Sequence, residues 1–250
     1  MYRFFMTLIF VALSSQVFAA DFEPVKAALE KAMASEIRGD ADRARDRNRK
    51  PIETLEFFEL RQDSKVLELL PGGGWYTKLI APVVRDEGEL HLAIGADRAA
   101  TALSQHEGFD KLNVTAKDAS LSRGEGSRFF DLNLDDFGVK NLDIVFTFRN
   151  YHNLSEGGRA TMNEASFKAL KSGGIYAVVD HTRRHMEATN NENGRRIDPV
   201  LAIKEIEAAG FEFEDFSTLH YRADDELRYE VGRKSVTGNT DRWTLKFRKP

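Results

Sequence analysis

Proton transfer needs a side chain that titrates near neutrality. The run Phe148-Arg149-Asn150-Tyr151-His152-Asn153 places one among several polar and aromatic groups. His152 suits a general base, because an unperturbed imidazole titrates close to pH 7. Arg149, Asn150 and Tyr151 complete the candidate catalytic set with His152. Tyr151, Tyr76 and Trp75 offer ring faces that attract a cation. The same residue types also serve structure: Asn150 and Asn153 can cap a following turn, and His152 can be a satisfied core histidine. His181 and His185 are four apart beside Asp180. On a helix that spacing puts ligands on one face, but two histidines do not make a metal centre, and no metal is expected. Arg195 and Arg196 lie in a polar stretch over 188–198 that reads as a solvated loop or as a substrate lid, in which the two arginines would recognise an anion.

A second chemical feature is made of backbone. The chain turns through Leu70-Pro71-Gly72-Gly73-Gly74 just after Glu68 and then enters a helix. Glycine permits positive φ and close approach of a ligand to the main chain. The helix N-terminus beyond the turn favours an anionic group. Such a ligand lies at the carboxyl ends of the strands, as in other open α/β sheets.

Strands and helices must alternate to put both features at one edge, and the sequence has that alternation. Residues 21–48 read as helix, from Phe22, Val25, Ala28, Leu29 and Met33 at helical spacing. The charges from Arg38 to Lys50 read as a solvated face, with a basic rim for an anionic ligand as the alternative. A second helix follows Pro51 to about Phe58. Strands are expected at 65–69, 89–94, 112–117, 142–148 and 175–179, with helices at 75–84, 96–106 and 157–171 between them. Residues 118–137 give no clear assignment. A helix at 199–209 and strands at 211–220 and 241–247 end the chain, the strands forming an antiparallel edge pair. Short apolar strands alternating with helices indicate a parallel sheet covered on both faces.

Val66-Leu67-Glu68-Leu69-Leu70-Pro71-Gly72-Gly73-Gly74 resembles the first motif of class I S-adenosylmethionine (SAM)-dependent methyltransferases. Leu142-Asp143-Ile144-Val145 and the segment 170–180 resemble their fourth strand and the helix-turn-strand after it. The resemblance runs over residues 55–250. It looks closer still to bacterial proteins described only as predicted methyltransferases, through Pro71–Tyr76, Thr147–Asn153 and Thr240–Pro250. The resemblance implies a Rossmann-like α/β fold with a mostly parallel seven-stranded sheet, an antiparallel C-terminal edge pair and N-terminal helices. It implies SAM as cofactor. Gly72 and Gly74 would approach the methionine moiety with Gly73 between them, and one of the ring faces of Tyr151, Tyr76 or Trp75 could then meet the sulfonium. Glu68 would hold the turn or receive the cofactor amine. Ile94 stands where an acidic residue is expected at the end of the second strand, so Asp97 is left for the ribose. Asp118 is the candidate for the adenine side, with Asp131 as runner-up. The loop with His152 would lie beside the transferred methyl group.

Composition narrows the setting. Among 250 residues, 42% are hydrophobic and 30% charged, as in an ordinary globular chain. A net charge of -4 gives no sign of a nucleic-acid partner. With no cysteine there is no disulfide, thiolate nucleophile or Cys-based metal site. Tyr2-Arg3, the apolar run Phe4–Leu13 and Val17-Phe18-Ala19-Ala20 follow the order of a secretory signal. The run is shorter than the roughly 20 residues of a membrane span. The expectation is a signal peptide at 1–20, a helical segment at 21–60 and a methyltransferase-like domain at 61–250. The mature protein would be exported, periplasmic and without stable membrane insertion, and would act on a small molecule. The alternative is a periplasmic binding protein that keeps the fold without catalysis, because SAM is made in the cytoplasm.

Overall fold

The structure, a computed structural model, describes residues 22–250, and the expected export signal at 1–20 lies outside them. The chain enters through helix α1 at residues 22–34. Three short helices follow, α2 (Asp40–Arg43), α3 (Asp46–Arg49) and α4 (Pro51–Phe57). The continuous helix expected over 21–48 is therefore broken after 34. Arg38 is the reason: fully buried, it pairs with Asp46 on α3 and donates to the carbonyl of Met33 at the end of α1. The chain cannot run straight while that side chain points inward.

The alternating part contains β1 (Lys65–Leu69), α5 (Thr77–Val84), β2 (Glu89–Ala93), α6 (Asp97–Leu103) and β3 (Leu112–Val114). The unassigned stretch holds a small antiparallel pair, β4 (Ser120–Ser122) and β5 (Asp131–Asn133). Then come β6 (Leu142–Phe148), a 3-10 turn (Tyr151–Asn153), α7 (Glu156–Ala169), β7 (Leu170–His181), α8 (Pro199–Ala208), β8 (Glu212–Ser217) and β9 (Arg242–Arg248). The seven-stranded sheet has the order β3-β2-β1-β6-β7-β9-β8. The ladders from β3 to β7 are parallel, and β9 runs antiparallel to both its neighbours. This is the expected Rossmann-like sheet with an antiparallel edge.

Period-2 alternation divides each strand between two cores. Val66, Leu92, Ile144, Phe146 and Ala177 face the layer of α1, α4, α5 and α6. Leu67, Val145, Tyr176, Val178 and Leu245 face α7 and α8. The N-terminal helices share the first core with the sheet, through Val25, Leu29, Leu55 and Phe58. Each such buried side chain contributes about 1.5–3 kcal/mol. Strand order reverses between β1 and β6, the switch point at which open α/β sheets bind ligands beyond the strand ends.

Four parallel strands leave the sheet through a non-glycine residue with positive φ: Leu70 after β1 (53°), Ile94 after β2 (61°), Ala116 after β3 (50°) and Arg149 after β6 (61°). The amides of Leu70 and Arg149 still bond the neighbouring strands, at Ala93 and Val179. The chain then turns sharply away and leaves the carboxyl edge clear. Such residues cost about 1–3 kcal/mol each and gather where function requires them. Among the described residues, no helix is long and apolar enough to cross a membrane.

Candidate active site

The switch point carries both features that stood out in the sequence. At the first turn Gly72 has φ 58° and nothing within 4 Å of where a Cβ would stand, and Gly73 is equally open. Gly95, after β2, is open in the same way. Gly74 is different. Its φ is 76°, and a Cβ there would meet Leu103 Cδ1 at 2.8 Å and Ala99 at 3.5 Å. Gly72, Gly73 and Gly95 thus leave room for a ligand, whereas Gly74 lets α5 approach α6.

Glu68 does not reach the turn backbone. It is buried and accepts a 2.6 Å hydrogen bond from Thr77 Oγ1 at the start of α5. Burial pushes its carboxyl up to about 7, although Thr77 and Arg49 pull the other way. The folded chain therefore holds this proton more tightly than the unfolded chain, whose ordinary value is 4.5. Stability from Glu68 is fullest below that value and falls by about 3 kcal/mol as pH rises to about 7. His220 and His181, pushed below 6.5 by burial, act in the opposite sense and lose stability as pH falls. Only a difference between variants isolates the carboxyl. Glu68→Gln should exceed the parent in stability at pH 8 and match it near pH 4.5 in urea unfolding. An equal difference at both pH values would remove the buried charge as its cause.

The loop after β6 sends its side chains in different directions. Asn150 Nδ2 donates to the carbonyls of Leu70 and Phe148, both at 3.1 Å, and so ties the glycine turn to β6. It caps no helix; Ser155 caps α7 by accepting from Gly158. Tyr151 is fully buried, donates its hydroxyl to Glu205 and accepts from Asn163, so it belongs to the α7–α8 side of the core. Its ring is not presented to the switch point. His152 stays at the carboxyl edge. Its Nδ1–H donates to Asp180 Oδ1 at 2.5 Å, and its backbone N–H donates to Oδ2 at 2.9 Å. Asp180 also accepts from the His181 amide at 2.6 Å. Fixed in this way, the buried ring has Nε2 without a hydrogen-bond partner among the described residues. Asp180 ends the strand next to β6, and its part as the orienting carboxylate was not foreseen in the sequence.

The other expected residues divide. Tyr76 stacks on Phe148 with 3.6 Å between ring centroids. The Trp75 ring is covered by guanidinium groups, Arg49 at 4.2 Å and Arg38 at 5.1 Å, so its cation-attracting surface is used inside the protein. Asp97 is exposed on the first turn of α6. Ile94, buried, offers nothing to a ribose. Asp118 is exposed and lines a cavity of about 450 Å³ beyond β3 with Lys117, Asn133 and Asp135. Asp131 is engaged by the Ser155 hydroxyl at the start of α7. A smaller cavity of about 280 Å³, lined by Val84, Glu89 and Leu112, lies at the opposite ends of the strands, away from this site.

The two arginines that a substrate lid would turn towards an anion are otherwise occupied. Arg196 is buried against Asp225, and Arg195 pairs with Glu230. These bonds, with that of Arg128 to the Asn190 carbonyl, hold the 188–198 loop in place. His181 shares a hydrogen bond with Thr240, and His185 pairs with Asp198, so the two face different partners.

No family model matches the chain, and no curated protein matches it. Solved structures do. A SAM-dependent methyltransferase from Aquifex aeolicus superposes with TM-score 0.58 at 14% identity, over 83% of this chain and 93% of that one. The cyclase SpnF gives 0.51 at 18%, over 87% and 86%. Human N-acetylserotonin methyltransferase, solved with SAM, gives 0.51 at 15%, over 93% of this chain and 58% of its own length. At these identities the likeness is one of fold: the chain has the Rossmann-like fold of class I SAM-dependent methyltransferases, a fold also found in a cyclase.

Proposed function

We propose that the protein is a SAM-dependent methyltransferase acting on a small molecule, with His152 as the base. The observation that carries this reading is the His152–Asp180 pair, 2.5 Å apart and held at the switch point beside the open glycine turn. A core histidine has no need of a free Nε2 at a ligand-binding edge. SAM supplies a methyl group on a positively charged sulfur. Gly72, Gly73 and Gly95 leave space for its backbone-facing part, and Asp97 and Asp118 are free to meet its nucleoside end. Asn150 holds the turn and β6 in fixed relation, which sets the distance between the bound methyl group and His152. His152 takes the proton of the attacking acceptor atom on Nε2, and Asp180 stabilises the imidazolium that forms.

We also read the mature chain as exported and periplasmic, and as one of the bacterial exported predicted methyltransferases that its sequence resembles. The n-region, apolar run and Ala19-Ala20 support this. Export favours one competing reading, a non-catalytic binding protein, and the buried Ile94 in place of a ribose-binding acid favours it too. One experiment separates the readings. Titration calorimetry should show saturable binding of SAM and S-adenosylhomocysteine, and a panel of small acceptors should include one that releases S-adenosylhomocysteine. No heat with either nucleoside would remove the methyltransferase assignment, and binding without any turnover would favour the second reading. The N-terminal mass of the isolated protein tests export, since an intact Met1 would contradict it.

A further inference from the structure

The buried arginines of this protein are of two kinds. Arg38, Arg159 and Arg196 each bind a carboxylate. Arg49 and Arg242 bind none, nor does the half-buried Arg149, and among the described residues no group accepts a hydrogen bond from the guanidinium of Arg49 or Arg149. Arg49 is 5% exposed. Its side chain lies over Trp75 and 5.7 Å from the Tyr76 ring centroid. Its backbone is gripped from close by and from the far end of the sequence. His220 Nε2–H and Thr54 Oγ1–H donate to its carbonyl at 3.0 and 2.9 Å, and Arg242 donates to the carbonyl of Asn48 beside it. Arg242 Nε is buried without a partner. Arg149 follows Phe148, the ring on which Tyr76 stacks. The Tyr76 hydroxyl, in a residue 4% exposed, has no partner of its own.

The three guanidinium groups gather around Tyr76, those of Arg49 and Arg149 without an acceptor and that of Arg242 with one at Nη1 alone. Burial and neighbouring Arg149 push Arg49 down to about 9 and Arg242 to about 10, so both stay charged at neutral pH while repelling one another. No carboxylate binds them directly: Asp42 pairs with Lys78, Asp46 with Arg38, Glu68 is held by Thr77, and Asp180, whose charge reaches Arg149 and Arg242, is bound to His152. A fold that spends three backbone contacts on fixing such a cluster is prepared for a ligand of opposite charge. We propose that Arg49, Arg149, Arg242 and the Tyr76 hydroxyl receive an oxyanion, a carboxylate or phosphate group, carried by a ligand bound at the carboxyl edge of the sheet. The planar guanidinium matches either group through paired hydrogen bonds. The existence of the site does not depend on the methyltransferase reading; the identity of its ligand does. On that reading the oxyanion belongs either to the methyl acceptor, which is then an acidic small molecule, or to the methionine moiety of SAM. Arg149 and Arg242 lie close enough to Asp180 to feel its charge, so the anion binds next to the His152 base.

Inorganic phosphate is the probe. Calorimetry should show saturable binding of phosphate to the parent protein. Tyr76→Phe keeps the ring stack and removes a hydroxyl that no protein group uses. It should leave the melting temperature unchanged and weaken phosphate about tenfold, and Arg149→Gln should weaken it more. Absence of phosphate binding, or equal affinity in the parent and both variants, overturns the proposal. Two nucleosides then distinguish the source. If phosphate competes with S-adenosylhomocysteine but not with 5′-methylthioadenosine, which lacks the carboxylate, the site holds the methionine end. If phosphate and S-adenosylhomocysteine bind together, it holds the acceptor. Phosphate binding that both variants weaken, with no binding of either nucleoside, would sustain the oxyanion site and dismiss the methyltransferase reading.

Discussion

His152→Gln should lower methyl transfer by about 10²- to 10⁴-fold, the usual contribution of acid–base catalysis, and leave S-adenosylhomocysteine affinity unchanged. The geometry sets both halves of this expectation. Glutamine is close to histidine in reach and its amide can still donate to Asp180, which also accepts from the backbone of residues 152 and 181. The buried carboxylate thus stays satisfied, and the loss of stability should be about 1 kcal/mol or less. Glutamine cannot accept a proton at neutral pH, so the chemical step loses its base. The acid limb of the kcat/KM profile should vanish in the variant, because no group at that position titrates. The readout is S-adenosylhomocysteine release with the acceptor found by the panel, beside a thermal melt and a binding titration. A large fall in melting temperature with turnover per folded molecule unchanged would make His152 a structural group and withdraw its role as base.

What the sequence revealed follows from the range of the forces involved. Local forces left clear marks. The alternation of apolar strands and amphipathic helices, the glycine turn and the strand at 142–148 were legible because each element's pattern lies within its own residues. Gly72 was assigned the right kind of backbone by type alone, with φ 58°. Contacts distant in sequence left no such mark. Asp180 meets His152 across 28 residues, and nothing in either neighbourhood announces the pair. The charge run at 38–50 read as a solvated face, yet Arg38 and Arg49 are buried because Trp75 and the Met33 carbonyl receive them. Tyr151 and His152 are adjacent in sequence and part in space, since the 3-10 turn sends one side chain into the core and keeps the other at the strand ends. A cluster of polar types in a loop is thus visible in sequence, but its division into site and scaffold is not.

Arg196 illustrates that division, and its replacement should have the largest effect on stability. Arg196 and Asp225 are both fully buried, with the guanidinium fork donating to the two carboxylate oxygens at 2.9 and 3.0 Å. The remaining donors reach the carbonyls of Tyr229 and Thr182. Arg196→Met leaves the Asp225 charge buried with only the amides of Leu227 and Asp241 to offset it. Breaking a buried pair from one side costs about 3–5 kcal/mol. For a chain of this length that lowers the melting temperature by about 10 °C. Removing both charges, as in Arg196→Met with Asp225→Leu, should restore much of the loss, because the penalty comes from the unpaired ion rather than from the missing attraction. If Arg196 instead served a ligand, the single variant would melt with the parent and lose phosphate binding. The two results are opposite in both measurements, so a thermal melt of the single and double variants beside a phosphate titration decides between them. The same pair of measurements on Arg149→Gln should give the reverse pattern, with weak phosphate binding and an unchanged melt. An arginine whose bonds are all met inside the protein acts as structure, and one whose bonds are unmet is available to a ligand.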